Sequence, residues 1–322
     1  MIYSFLTQGA DQRRTVRDLE LSMNRRDFLK KTCIVGLGIS IPGTFDHLIG
    51  SLHASEYADI GVARGASPEA ATKAAIDAIG GIHRFISRGD IVVVKPNIGW
   101  DRIPEQAADT NPEVVAGLVK LCYNAGAKKV KVFDSPVADP QRCYKQSGIA
   151  DAASAAGAEV SFMDERKFKD VTIDGRALKK WPLYTDILEA DKVINVPIAK
   201  VHGLSTLTLG MKNWMGVMGG WRGRIHQNLH QSLVDISQVI KPALIVLDAV
   251  RILTGHGPQG GNLADVKTLN TVIAGTDQVA VDAYGATLFG LKGSALGYVR
   301  IGHETGLGTM DLSRLIIKKV AV

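Results

Sequence analysis

The stretch from Lys200 to His230 concentrates side chains that do chemistry. Lys200-Val201-His202 is followed by Gly210-Met211-Lys212-Asn213, then by Arg222-Gly223-Arg224-Ile225-His226 and His230. Glycines let backbone approach a ligand closely and expose N–H groups to anions. Lys212, Arg222 and Arg224 place positive charge beside them, so the expected ligand is a small anion. His202 is expected to act as a metal ligand or general base, because imidazole does either near neutral pH. His226 and His230 stand four apart, so on a helix they share one face and, with His202, could ligate a metal. No Glu follows His226, which separates the pair from the zinc-protease pattern. The Met and Trp residues of this stretch read as core filling.

A second set of polar residues closes apolar runs. Ile91–Val94 ends in Lys95-Pro96-Asn97, Lys129–Phe133 in Asp134-Ser135-Pro136, Lys192–Ile194 in Asn195-Val196-Pro197, and Ala243–Leu247 in Asp248. The Gly275-Thr276-Asp277 turn closes a further run, Thr268–Ala274. In parallel α/β sheets, ligands bind outside the carboxyl ends of the strands. A single strand-end Asp or Asn is usually a turn-former or cap. Several together, with two lysines and a histidine, point to a site. Lys95, Asn97, Lys200 and Lys212 would orient anionic groups with Asn195, Arg222 and Arg224. Asp134 and Asp248 would position a histidine, a lysine or a metal.

Those runs alternate with helical patterns. Ser67-Pro68-Glu69 opens a helix expected to reach about Ile86, with Ser67 as cap and Pro68 at the first helical position. Thr110-Asn111-Pro112-Glu113 opens another that ends near Ala125-Gly126. Further helices are expected near 146–156, over Gln231–Ile240, and from Thr276-Asp277 to Phe289, and a small hairpin at Val171–Arg176. Strand, helix and strand in repetition predict an α/β fold. Its sheet is mostly parallel with helices on both faces, and its subdomains at 55–165 and 166–322 could flank a cleft. Residues 203–228 match neither period. Arg251–Gly261 reads as a long loop able to cover the cleft.

Composition bounds the rest. Of 322 residues, 46% are apolar and 22% charged, which describes a globular chain. Lys and Arg number 38 against 32 Asp and Glu. Seven of the basic and five of the acidic residues lie in 1–54, leaving 31 against 27 in the remainder. Four surplus charges make no nucleic-acid footprint. No apolar run reaches the ~18 residues that a membrane-spanning helix needs. Beyond residue 54 only Cys122 and Cys143 remain, with no CxxC, so this chain alone builds no iron–sulfur cluster. A disulfide and two free thiols are both open.

The N-terminus reads as an address. Asn24-Arg25-Arg26-Asp27-Phe28-Leu29-Lys30-Lys31 precedes a short, weakly apolar, Gly-containing run that Pro42 ends. Paired arginines, Phe-Leu-Lys and such a run form a twin-arginine export signal, so the export machinery is an expected partner and the periplasm the expected location. Met23 is the expected start, with residues 1–22 an upstream extension.

Several of these segments resemble domain-of-unknown-function family number 362. They are Val92–Asn97, Asn111–Val115, Ala127–Val130, Asp191–Pro197 with Lys200–His202, Gly210–Asn213, Asp248–Val250 and Asp277–Asp282. The resemblance covers about residues 60–290. Many members of that family carry a ferredoxin-like module, which this chain lacks, so a separate iron–sulfur partner protein is one implication. A weaker likeness is to the nickel-pincer lactate racemase family, where a cofactor-linked lysine lies between histidine ligands. Here His202, Lys212 and His226 or His230 stand in that order. Asp134-Ser135-Pro136 stands where that family has catalytic histidines.

The leading expectation is an exported α/β enzyme for a small anionic substrate, with a divalent metal or metal-containing cofactor. His202, Lys200, Lys212 and Asp134 would be catalytic. A non-catalytic solute- or cofactor-binding protein and an electron-transfer accessory to an iron–sulfur partner are the alternatives.

Overall fold

A computed structural model describes residues 57–322, which belong to one compact unit. The arginine pair and the rest of the expected signal region lie outside the described residues. The expected boundary near residue 165 falls inside the unit, because strands from both sides of it share one sheet.

The strands of that sheet are β1 (Ile60–Arg64), β2 (Ile91–Pro96), β3 (Lys129–Val132), β4 (Glu159–Val160), β7 (Lys192–Val196), β8 (Ile198–His202), β9 (Thr206–Thr208), β10 (Leu244–Leu253), β11 (Val266–Gly275) and β12 (Ile317–Ala321). Their order is β12-β1-β11-β10-β7-β2-β3-β4, with β8 pairing β10 and β9. The segment from β10 to β4 runs parallel, whereas β11 is antiparallel to both β10 and β1. A separate hairpin joins β5 (Phe168–Thr172) to β6 (Lys180–Tyr184).

Both faces of the sheet are covered, as the uninterrupted apolar runs require. Val92, Val94, Ile194, Val196, Leu244 and Val246 enter one core with α1 (Pro68–Ala78) and α2 (Pro112–Asn124). Val93, Val193, Ile245 and Leu247 enter the other. That core includes α7 (Leu229–Val239), α8 (Gln278–Thr287) and α9 (Gly297–Glu304). The caps follow the expected chemistry. Ser67 Oγ accepts from Ala70 N, Asn111 Oδ1 from Glu113 N, and Asp277 Oδ1 from Val279 N and Ala280 N.

Several expected boundaries are corrected. Helix α1 stops at Ala78, and Gly80 and Gly81 follow with positive φ. The helix expected near 146–156 is two, α3 (Pro140–Gln146) and α4 (Ile149–Ala155), broken at Gly148 with φ 70°. The hairpin is centred later than Val171–Arg176, because residues 173–179 form its turn. Strand β10 runs through Asp248 to Leu253, so Asp248 lies mid-strand.

Candidate functional site

The sheet order reverses beside β2. The chain moves outward from β2 to β3 and β4, then returns to place β7 on the other flank of β2. Such a switch point opens a crevice at the carboxyl ends of the strands. Lys95 of β2 and Asn195 of β7 are register partners there.

One residue ties the two strands. Asn213 closes the short helix α6 (Gly210–Asn213), and its Nδ2 donates to Asn195 Oδ1 at 2.8 Å. Lys95 Nζ donates to Asn213 O at 2.7 Å and Oδ1 at 2.9 Å. The Asn97 amide donates to the same Oδ1 at 3.1 Å. Asn195 Nδ2 in turn donates to Gly210 O. The start of α6 is held by Asp282 of α8, whose carboxylate accepts from Gly210 N and Met211 N at 2.7 and 2.9 Å. Burial pushes that carboxyl up to about 7.

Beneath the cleft, Lys95 and Asp134 form a fully buried ion pair at 2.8 Å. Asp134 also accepts from Ile98 N and Ser135 N. Burial lowers the Lys95 ammonium and raises the Asp134 carboxyl, while each partner opposes the other's shift. Gly216 lies directly against the pair: a Cβ there would sit 1.8 Å from Asp134 Oδ1 and 2.5 Å from Lys95 Nζ. This close approach is what requires glycine.

Above the pair is an open cleft. Of the expected site residues, Asn97, Asp134, Lys200, His202, Lys212 and Arg222 line it. Gly99, Trp100, Ser135, Thr208, Asn213, Met215 and Gly216 also do, as does Pro258 of the expected covering loop. Lys200 Nζ donates to Asn97 Oδ1 at 2.8 Å and to Ala108 O. Burial lowers the Lys200 ammonium and raises nearby Asp109, and the two oppose each other's shift. Arg222 is held by the carbonyls of Ser135, Pro136 and Met215 at 2.8, 2.6 and 3.3 Å. These acceptors orient the guanidinium without neutralising it.

Lys212 is 7% exposed. Among the described residues its Nζ meets one partner, the Met215 sulfur at 2.8 Å. Burial pulls it down to about 7, helped by the charges of Lys200, Arg222 and Lys95. His202 is pulled down to about 3 by burial and by Lys212 and Lys200. Its Nδ1 accepts from Leu204 N and Ser205 N. The neutral ring therefore carries its proton on Nε2, as a donor.

Four expected residues lie elsewhere in the lattice of contacts. Asp248 is buried and caps neighbouring backbone, accepting from Asn111 N and Val250 N at 2.7 and 2.9 Å. Arg224 is exposed and outside the cleft wall. His226 stacks beside His202 with ring centroids 6.5 Å apart. His230 instead faces Tyr298, at 6.1 Å. His226 and His230 do not share a helix, since α7 begins at Leu229. The three histidines are thus not one ligand set, and no group of three or more His, Cys, Asp or Glu among the described residues could hold a metal ion. Cys122 and Cys143 are buried free thiols, both pushed up to about 12 by burial.

Sequence reasoning missed Asn213, Asp109 and Asp282 as site-building residues. Both Asn213 and Asp282 stood inside noted motifs; the signal for Asp282 was a charged residue in the apolar run Val279–Ala283, and Asn213 stood beside Lys212.

Residues 92–287 match the family described as Domain of unknown function (DUF362). The chain belongs to this family. The matched span contains every cleft residue named above. The thylakoid-associated protein sll1697 of Synechocystis sp. is 29% identical over 222 residues, covering 66% of this chain and 67% of that protein. Among solved structures, the lactate racemase apoprotein of Thermoanaerobacterium thermosaccharolyticum resembles the fold weakly, with a TM-score of 0.43 and 12% identity. That match covers 70% of this chain and 56% of the racemase. A Thermotoga maritima protein gives a TM-score of 0.37 at 11% identity, covering 60% of this chain and 52% of its own. The chain thus spans little more than half the length of these two structures. No helix among the described residues is long and apolar enough to cross a membrane.

Proposed function

We propose that this DUF362 protein is an enzyme, exported by the twin-arginine pathway, that binds a small anionic substrate in the cleft at the carboxyl ends of β2, β3 and β8. One observation carries the reading. Lys200, with buried Asp109 beside it, and Arg222 face the cleft as cations next to Lys212, while the one carboxylate lining it among the described residues, Asp134, is already engaged by Lys95. An anion is what such a wall leaves unsatisfied. Arg222 and Lys200 hold its charged groups, and Asn97 orients Lys200. His202 donates from Nε2 to an oxygen that gains charge during reaction. Lys212 supplies the reactive amine. Asp134 acts as a positioning residue, since both its oxygens already accept hydrogen bonds.

A bare divalent cation does not fit this wall. Among the described residues the imidazoles at hand are His202 and His226, backbone engages Nδ1 of both, and the surrounding charges are positive. No step here runs through a metal. A cofactor with carboxylate or phosphate groups would meet the same cations as the substrate.

Calorimetric titration with small mono- and dicarboxylates and their neutral amides tests the reading. Carboxylates should bind and amides should not, and Arg222→Met should weaken binding by about 10- to 100-fold, the loss of one charged hydrogen-bonding group. Equal binding of amides, or an unaffected Arg222→Met, would overturn it.

A further inference from the structure

We infer that Lys212 is a nucleophile that forms an imine with the carbonyl carbon of a 2-oxo acid bound in the cleft. This rests on the anion-binding reading above and goes beyond it in naming the bond formed and the substrate class.

The three lysines at the site differ in what holds them. Lys95 is locked by Asp134 and Asn213, and Lys200 is tied to Asn97 Oδ1 and Ala108 O. Lys212 has no oxygen partner among the described residues and rests its Nζ on the Met215 sulfur. The thioether accepts an N–H, and no described residue donates to Nζ, so the lone pair of the neutral amine is uncommitted. The side chain is almost wholly buried yet lines the cleft, and the wall around it is cationic. Desolvation and like charge are the two means by which a lysine is kept neutral and nucleophilic.

The neighbours fit a 2-oxo acid. Its carboxylate matches Arg222 and Lys200, while its keto oxygen suits a neutral N–H donor, which His202 Nε2 supplies. An aldehyde without a carboxylate would leave the cations unpaired. A carboxylate without a carbonyl would leave the amine nothing to attack.

The step balances without another reagent. The Lys212 Nζ lone pair forms the C–N bond as the carbonyl π bond opens onto oxygen. Nitrogen then gives up its two protons, which leave with that oxygen as water as the C=N bond closes.

The full chain is incubated with pyruvate, glyoxylate or 2-oxoglutarate and reduced with sodium borohydride. Hydride adds to the imine carbon and fixes the adduct as a secondary amine. Mass spectrometry of the digested protein should place the added mass on Lys212, with labelling lost in Lys212→Arg. Mapping the adduct in the unsubstituted protein keeps the test valid if that variant does not fold. Three results would overturn the inference. Reduced adduct on Lys200 or on surface lysines alone would reassign the nucleophile. Calorimetric binding of these acids with no adduct would refute the imine and leave the anion-binding reading intact. No binding of any of them would refute both.

Discussion

Lys95→Met removes one member of a fully buried ion pair and nothing exposed. The Asp134 carboxylate would lose its countercharge, and Asn213 O and Oδ1 would each lose a charged donor. Breaking a buried pair by removing one partner costs about 3–5 kcal/mol. At roughly 2–4 °C per kcal/mol for a domain of this size, the melting temperature should fall by roughly 6–20 °C. The defect should depend on pH. Burial already raises Asp134, and without Lys95 it must rise further. A carboxyl whose folded pKa lies above its unfolded value costs stability in full above the folded value. That cost disappears as pH falls through the unfolded value. Urea unfolding followed by tryptophan fluorescence should therefore show a larger loss at pH 8 than at pH 5. Adding Asp134→Asn to Lys95→Met should recover part of the loss, because the uncompensated charge is gone. A Lys95→Met protein within about 1 kcal/mol of the parent at pH 8 would mean that the pair contributes no more than a surface pair does.

Other substitutions test single contacts. Gly216→Ala should destabilise by at least ~3 kcal/mol through the same ion pair, whereas Gly203→Ala, with nothing within 4 Å of its added Cβ, should change urea midpoints little. Lys212→Met should stabilise the protein most below pH 7, where the parent buries a charged ammonium. That advantage should shrink as pH rises from 7 towards 10, because the folded parent releases its proton first, and parallel denaturation series across pH would show it. Asn213→Ala should weaken both carboxylate binding and folding, because Lys95, Asn97 and Asn195 all bond to this one side chain.

Much of the scaffold was legible because it is local. The apolar runs ending at Lys95, Asp134 and Asn195 are parallel strands whose polar termini converge, as strand periodicity and the carboxyl-end rule require. Ser67, Asn111 and Asp277 cap helices because their side chains reach backbone within three residues. Contacts between distant segments were not legible. Strand β11 runs antiparallel, and an apolar run carries no direction. Residues 203–228 fold as strand β9 followed by short helices and turns, and the first of those helices, α6, is secured at its start by Asp282, 72 residues beyond Gly210. Asp248 had the composition of a site residue, yet it satisfies the backbone of Asn111 and Val250 in mid-strand. His226 and His230 were paired by a helical spacing that Asn228 interrupts, so one ring meets His202 and the other Tyr298.

A diffraction structure of the full chain grown with the carboxylate that binds most tightly by calorimetry would decide where the ligand sits. Carboxylate oxygens are expected within hydrogen-bonding distance of Arg222 and Lys200, with the rest of the molecule reaching towards Lys212 and His202. A carboxylate bound elsewhere on the surface, with that cleft holding only solvent, would contradict that placement.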